Sequence, residues 1–248
     1  MKRICICLVF LFFLAGCASK MTMVSLTAEE QFNVAKKEYQ QRKYDEAMTE
    51  FYKVIFNHPG AGFIDSAQFY LGSCYYRTED YSLAIAEFKK LLSIYPTSLL
   101  ADDAEYYIPL CNYFMSLGPT LDQENTQLAI EGFTSFLDYY PESPYVPRAK
   151  RYLSICQNKL AEKTYRNGCI YVKLGQYQPA LIYLNEVLDK YRDTEWAGRS
   201  LFEIGEIYQK QGEPSKALEK YKELVNDFPE NERIEETKKR IAKLEGKS

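Results

Sequence analysis

Five times along this chain the same positions recur at fixed distances, and few folds tolerate that register. Pro59, Pro96, Pro141, Arg192 and Pro229 stand at equivalent places. Twelve residues before each lies Ala47, Ala84, Ala129, Ala180 or Ala217, and eight residues after each lies Ala67, Ala104, Ala149, Ser200 or Thr237. Four residues beyond each of the first set comes a large side chain: Phe51, Phe88, Phe133, Leu184 or Tyr221. A small and a large residue four apart share one face of a helix. Pro cannot continue a helix, so it ends one element and re-sets the chain for the next. The pattern therefore predicts a two-helix unit repeated five times, in which small residues let helices approach closely.

The pattern resembles the tetratricopeptide repeat. Leu71-Gly72, Tyr75, Tyr81, Ala84, Phe88 and Pro96 carry it in the second unit; Gly168, Tyr171, Gly175, Tyr177 and Ala180 in the fourth; Ile204-Gly205, Tyr208, Gly212, Ala217, Tyr221 and Pro229 in the fifth. The fold class expected is all-α, a right-handed superhelical solenoid of about five such helix-turn-helix repeats. Spacings of 37, 45, 51 and 37 residues show that the units are unequal. The 45 comes from an insert at Ser116 to Gln127, between the helices of the third unit. The 51 predicts a first helix of the fourth unit lengthened by about four turns, upstream of Gly168. A charged closing segment, "EETKKRIAKLEGKS", suits the polar cap that a solenoid needs. The repeats are expected at about 28–61, 62–98, 99–143, 144–194 and 195–231 of a domain spanning 28–248.

The amino terminus reads differently. Lys2 and Arg3 precede an apolar run from Ile4 to Leu14, too short for a transmembrane helix of ~20 residues. The run ends Leu14-Ala15-Gly16-Cys17, which resembles a bacterial lipobox. The implied chemistry is a thioether from the Cys17 sulfur to diacylglycerol, cleavage before Cys17, then a further acyl chain on the new amine. Two or more chains anchor a protein stably where one does not. Residues 1–16 are thus expected to be a lipoprotein signal peptide and 17–27 a lipidated Cys with a short tether. Ala18 follows the Cys, where Asp would favour inner-membrane retention, so an outer-membrane location on the periplasmic face of a Gram-negative bacterium is expected.

Composition narrows the function. Net charge is −3 with no dominant basic stretch, which gives nucleic acid no footing as a partner. His58 is the single His, in a turn where sister repeats have Tyr95, Tyr140 and Phe228, so no Cys/His or Ser/His/Asp set can be assembled around a catalytic centre. No phosphate-cradling Gly-rich loop occurs. The seven Cys form no CxxC pair, and no cofactor or metal is expected. Asp122 and Glu124 in the insert read as a solvated acidic loop. Cys74, Cys111, Cys156 and Cys169 read as buried apolar residues, their redox state left open. The chain reads as a non-enzyme.

Tyr is abundant, 22 residues, and Tyr suits binding surfaces. Counting from the small residue of each first helix (Ala35, Gly72, Pro109, Gly168, Gly205), the position three earlier is always aromatic: Phe32, Phe69, Tyr106, Tyr165, Phe202. The position four later is Tyr39, Tyr76, Tyr113, Val172 or Gln209. Seven residues apart, these share a helix face. Phe32, Tyr39, Phe69, Tyr76, Tyr106 and Tyr113, with Arg77 beside them, form a candidate peptide groove along the first three repeats. The same periodicity equally fits aromatics packed between helices, and the spacing leaves both readings open.

The order of features resembles the BamD/ComL family of outer-membrane β-barrel assembly lipoproteins. "GFIDSAQFYLGSCYYRTEDYSLAIAEFKKLL", "DQENTQLAIEGFTSFLDYYPESPYVPRAKRYL" and "LAEKTYRNGCIYVKLGQYQPA" carry the resemblance over nearly the whole chain. It implies a scaffold whose C-terminal repeats bind the BamA-type barrel-inserting subunit, beside other assembly lipoproteins, and whose N-terminal repeats receive unfolded outer-membrane proteins. Tyr183 stands where the family often carries a BamA-contacting Arg, and Arg192 replaces the usual Pro; both are partner-interface candidates. Another tetratricopeptide lipoprotein, for pilus assembly or cell-wall coordination, is the alternative reading.

Overall fold

A computed structural model describes residues 26–246; the expected signal peptide, Cys17 and most of the tether lie outside the described residues. Among the described residues there are eleven helices and no strand. They run as five pairs, α1 (Ala28–Gln40) with α2 (Tyr44–Asn57), α3 (Ile64–Arg77) with α4 (Tyr81–Ile94), α5 (Ala101–Met115) with α6 (Glu124–Tyr139), α7 (Val146–Lys173) with α8 (Tyr177–Lys190), and α9 (Glu195–Lys210) with α10 (Pro214–Asp227). A single helix, α11 (Ile234–Leu244), closes the series. Each helix packs mainly on its neighbours in the chain, the contact pattern of a solenoid.

Local chemistry sets the ends. Thr27 opens α1 with a capping box: its hydroxyl accepts from the Glu30 N–H at 3.2 Å, and the Thr27 N–H donates to the Glu30 carboxylate at 2.9 Å. The turn from first to second helix places one residue at positive φ in the same register of four repeats: Arg42 (φ 62°), Glu79 (φ 66°), Gly175 (φ 71°) and Gly212 (φ 75°). Only Gly adopts that conformation without a Cβ clash, so Arg42 and Glu79 hold local strain.

The close approach predicted from small residues is present. A Cβ on Gly72, Gly168 or Gly205 would lie 2.8, 2.9 or 2.3 Å from Phe88, Leu184 or Tyr221, the large residue of the partner helix. Repeat three exchanges the roles. Its first helix carries Pro109, and the space is provided by Gly132 on α6, whose Cβ would sit 2.7 Å from the Pro109 ring.

Two polar devices repeat beside this apolar packing. In repeats one and two a Gln of the first helix donates to a Glu of the second, Gln31 to Glu50 and Gln68 to Glu87, and each Glu also pairs with a Lys one turn on, Lys53 or Lys90. Across successive Pro turns the Ser98 hydroxyl donates to Asp65 at 2.6 Å and the Ser143 hydroxyl to Asp102 at 2.9 Å, which ties each repeat to the next.

The 28 residues of α7 are about four turns more than the 14 of α3, as its spacing predicts. This helix touches α5, α6, α8 and α9 and joins two packed regions: one core cluster ends on it at Cys156 and the next begins at Ala161. The insert between α5 and α6 lies against its middle, where Lys159 Nζ donates to the Ser116 hydroxyl at 2.6 Å and Lys163 Nζ to the Leu121 carbonyl at 2.7 Å. No helix of the described residues is long and apolar enough to cross a membrane.

Candidate functional site: the aromatic face of the first helices

The candidate groove residues are brought together, and by a partner the periodicity did not single out. Tyr70, one residue after Phe69, inserts from α3 between the two aromatics of α1. Its ring centroid lies 6.3 Å from Phe32 and 5.2 Å from Tyr39, and it stacks on Phe51 at 5.5 Å. Tyr107, one residue after Tyr106, repeats the arrangement a unit further on, 6.1 Å from Phe69, 5.0 Å from Tyr76, and stacked on Phe88 at 5.5 Å. The first helices are therefore zipped together by a residue rotated ~100° from the predicted stripe. Edge-to-face and offset contacts of this kind are each worth ~0.5–1.5 kcal/mol beyond the area they bury.

The zipper does not bury every ring. Phe32, Tyr39, Phe69, Tyr76 and Tyr113 are half-buried, so each keeps an edge at the surface. Tyr106 does not: it is 3% exposed and stacks on Tyr145 at 4.3 Å, which corrects its place from groove lining to core. Burial lifts its phenol to about 12. Tyr113 pairs instead with Tyr152 of α7 at 4.7 Å.

Cations border the half-buried rings, Lys159 at Tyr113 (5.9 Å) among them. Lys36 Nζ stands 5.0 Å over Tyr70, and the exposed Arg77 guanidinium 5.8 Å over Tyr76. Burial raises the Tyr39 phenol above its ordinary pKa although Arg77 pulls the other way. Arg77 thus presents a positive charge at the seam between α1 and α3.

The carboxyl-terminal half treats its equivalent positions differently. Tyr165 packs on Trp196 at 5.3 Å, Arg199 lies 4.5 Å over Trp196, and Arg233 lies 4.5 Å over Phe202. A guanidinium thus covers Phe202, the counterpart of Phe32 and Phe69, and another covers the indole against which Tyr165 packs. Tyr183, on the face that holds Glu50 and Glu87 in the early repeats, stacks on Tyr171 at 5.5 Å. Arg192 reaches over the next turn to pair with Glu223 at 3.0 Å and with Asp227, and it lines a shallow cleft of about 420 Å³ with Phe228 and Pro229. Those carboxylates raise its pKa further.

His58 caps the end of α2, its N–H bonded to the Val54 carbonyl. Burial lifts the Cys74 and Cys111 thiols to about 12 and Cys156 to about 11, the reverse of a reactive thiolate. Among the described residues all four thiols are free, and no group of three His, Cys, Asp or Glu is placed to hold a metal. Asp122 accepts the Glu124 N–H at 3.0 Å and so shapes the start of α6.

Paired helices and an inter-repeat aromatic seam define a helical-repeat solenoid of tetratricopeptide type. Among solved structures the chain is distantly similar to the TPR2AB domain of yeast Sti1 in complex with pHSP90 (14% identity, 88% of this chain and 83% of that one, TM-score 0.47), YrrB, described as a TPR protein with an unusual peptide-binding site (17%, 86% and 92%, 0.41), and a thermophilic TPR protein of Thermus thermophilus (16%, 88% and 98%, 0.38). No curated protein sequence matches the chain. The chain belongs to the YfiO family of outer membrane lipoproteins, the family of BamD, whose model matches residues 25–217. Members of this family and fold typically act as protein-binding scaffolds rather than enzymes.

Proposed function

We propose that the protein is a non-catalytic scaffold of the outer-membrane protein assembly machinery, held by acyl chains on Cys17 at the periplasmic face. Its C-terminal repeats, around Tyr183 and Arg192, bind a BamA-type barrel-inserting subunit alongside other assembly lipoproteins. The N-terminal face of Phe32, Tyr39, Phe69, Tyr76, Arg77 and Tyr113 receives extended segments of unfolded outer-membrane proteins. The observation that carries this reading is the division of the solenoid: half-buried rings with a bordering Arg and Lys in the first three repeats, and Phe202 and Trp196 each buried under an Arg in the fifth. Open aromatic edges beside cations suit a peptide with aromatic and acidic groups. Membership of an outer-membrane lipoprotein family supports the location. Co-purification of the lipidated protein from its own membranes is the test. A BamA-type barrel protein is expected to come down with it; recovery of pilus or cell-wall components in its place would overturn the assignment.

A further inference from the structure

The edge of the solenoid that carries the Pro turns is not uniform. Within each pair the helices run antiparallel, so first-helix N-termini and second-helix C-termini share one edge. Along it the first two turns read "FNHPGAG" (56–62) and "SIYPTSLL" (93–100), with no Asp, Glu, Lys or Arg. The last two read "DKYRDTE" (189–195) and "NDFPENER" (226–233), thick with charge. The uncharged turns also hold the most exposed large apolar side chains of the described residues, Leu99 (95% exposed) and Phe56 (86%), with Ile94 (60%) beside Leu99 and Tyr139 (80%) on the third turn. The turns at 189–195 and 226–233 have none. The three most exposed, Leu99, Phe56 and Tyr139, all lie on this edge, Tyr139 in a turn that carries Asp138 and Glu142, and exposed apolar groups so placed mark a contact surface.

The first described helix begins on this same edge. α1 begins at Ala28, next to the end of α2 that bears Phe56. Ten residues separate Cys17 from Ala28, a reach of at most ~35 Å even when fully extended. An acyl anchor on Cys17 therefore holds the uncharged end of the edge near the lipid surface, whereas the charged end is four repeats away.

We infer that the Pro-turn edge of repeats one and two seats on the lipid–water interface of the membrane, with Phe56, Ile94 and Leu99 as the inserting groups. This rests on the lipid-anchor reading above. Aromatic and aliphatic side chains partition into that interface, and charged turns do not. Seated so, the second-helix ends of the early repeats face lipid, and the charged turns of repeats four and five project away from it.

The test uses the full lipidated chain in vesicles of phosphatidylethanolamine and phosphatidylglycerol. An environment-sensitive fluorophore is attached through Phe56→Cys, Leu99→Cys or Glu230→Cys, the native body thiols being buried or half-buried. Flotation with the vesicles reports the anchor independently of the edge. Probes at 56 and 99 are expected to shift to the blue and be quenched several-fold more by brominated lipid than by aqueous iodide, and the probe at 230 to behave the opposite way. A chain that fails to float overturns the anchor. A chain that floats with all three probes equally open to iodide overturns the seated edge, as does protection at 56 and 99 that arises only when other assembly proteins are added. A Leu99→Ser, Phe56→Ser variant stripped of acyl chains by Cys17→Ala is expected to bind the same vesicles at least ~10-fold more weakly than Cys17→Ala alone.

Discussion

Gly205→Ala tests whether the small-to-large register is a packing constraint. Outside tertiary contact the change favours a helix interior by up to ~1 kcal/mol. Here the new Cβ would lie 2.3 Å from Tyr221 Cε1, 2.7 Å from Cζ and 2.8 Å from Cδ1. Ordinary carbon contact is ~3.5–4.0 Å, so ring or backbone must shift by more than ~1 Å. Tyr221 cannot swing aside cheaply. It is fully buried, its hydroxyl donates to Glu206 at 2.6 Å, and that carboxylate accepts from Arg240 at 2.9 Å. Overpacking costs ~1–3 kcal/mol, and breaking a bond to a charged acceptor ~1.5–3 kcal/mol. With ~1 kcal/mol of helix gain subtracted, the expected loss is ~1.5–5 kcal/mol. For a domain of this size that lowers Tm by about 3–20 °C, at ~2–4 °C per kcal/mol. Denaturation in urea with unchanged slope measures the free energy, and hydrogen exchange should show the loss in α9 to α11. Truncating the ring in a Tyr221→Leu background should shrink the penalty, because the atoms met at 2.3–2.8 Å are then gone. A Gly205→Ala protein as stable as the parent would refute the reasoning, since propensity alone would then govern the site.

Two further outcomes concern the helix-joining turns and the buried thiols. Arg42→Gly and Glu79→Gly relieve a positive φ in the turns where Gly175 and Gly212 already stand, so each should raise stability, by up to ~1 kcal/mol in chemical denaturation; a loss would place the dominant effect in the unfolded chain. Burial holds Cys74 and Cys111 near 12, whereas an unfolded chain titrates them near ~8.5. Between those values the unfolded state releases protons that the folded state keeps, so their contribution is complete below pH ~8.5 and is lost as pH rises toward 12. Tm should fall across that range, and both thiols should resist a chromogenic disulfide reagent at about pH 8 until denaturant is added. Rapid native-state reaction at Cys74 or Cys111 would contradict their burial.

Much of the architecture is readable from particular residues. Pro59, Pro96, Pro141 and Pro229 mark turns, and the spacing around Gly168 shows the added turns of α7. The Thr27–Glu30 capping box is a local motif and announces where α1 begins. The ladder Phe32, Tyr39, Phe69, Tyr76 is also visible, since period seven is a property of one helix. Tyr70 and Tyr107, the residues that join one first helix to the next, are not visible that way. They lie one step off the stripe, and their partners come from another repeat. Tyr106 has the ladder's spacing but not its exposure, because Tyr145 arrives from the following turn and covers it. Arg192 is recognisable as a turn residue that replaces Pro, while Glu223 and Asp227 stand 31 and 35 residues onward. The exchange of Pro109 and Gly132 is likewise a fact of the pair, and neither residue alone suggests it.

The sequence by itself determines helices, turns and the five-fold register, because each depends on side chains within a few residues of one another. Tertiary structure decides which aromatic rings stay open, which Arg covers a ring, and which turns hold Phe56 and Leu99 out in solvent. Those outcomes depend on how far apart successive helices stand and what the next repeat lays across them, a geometry that no single helix contains.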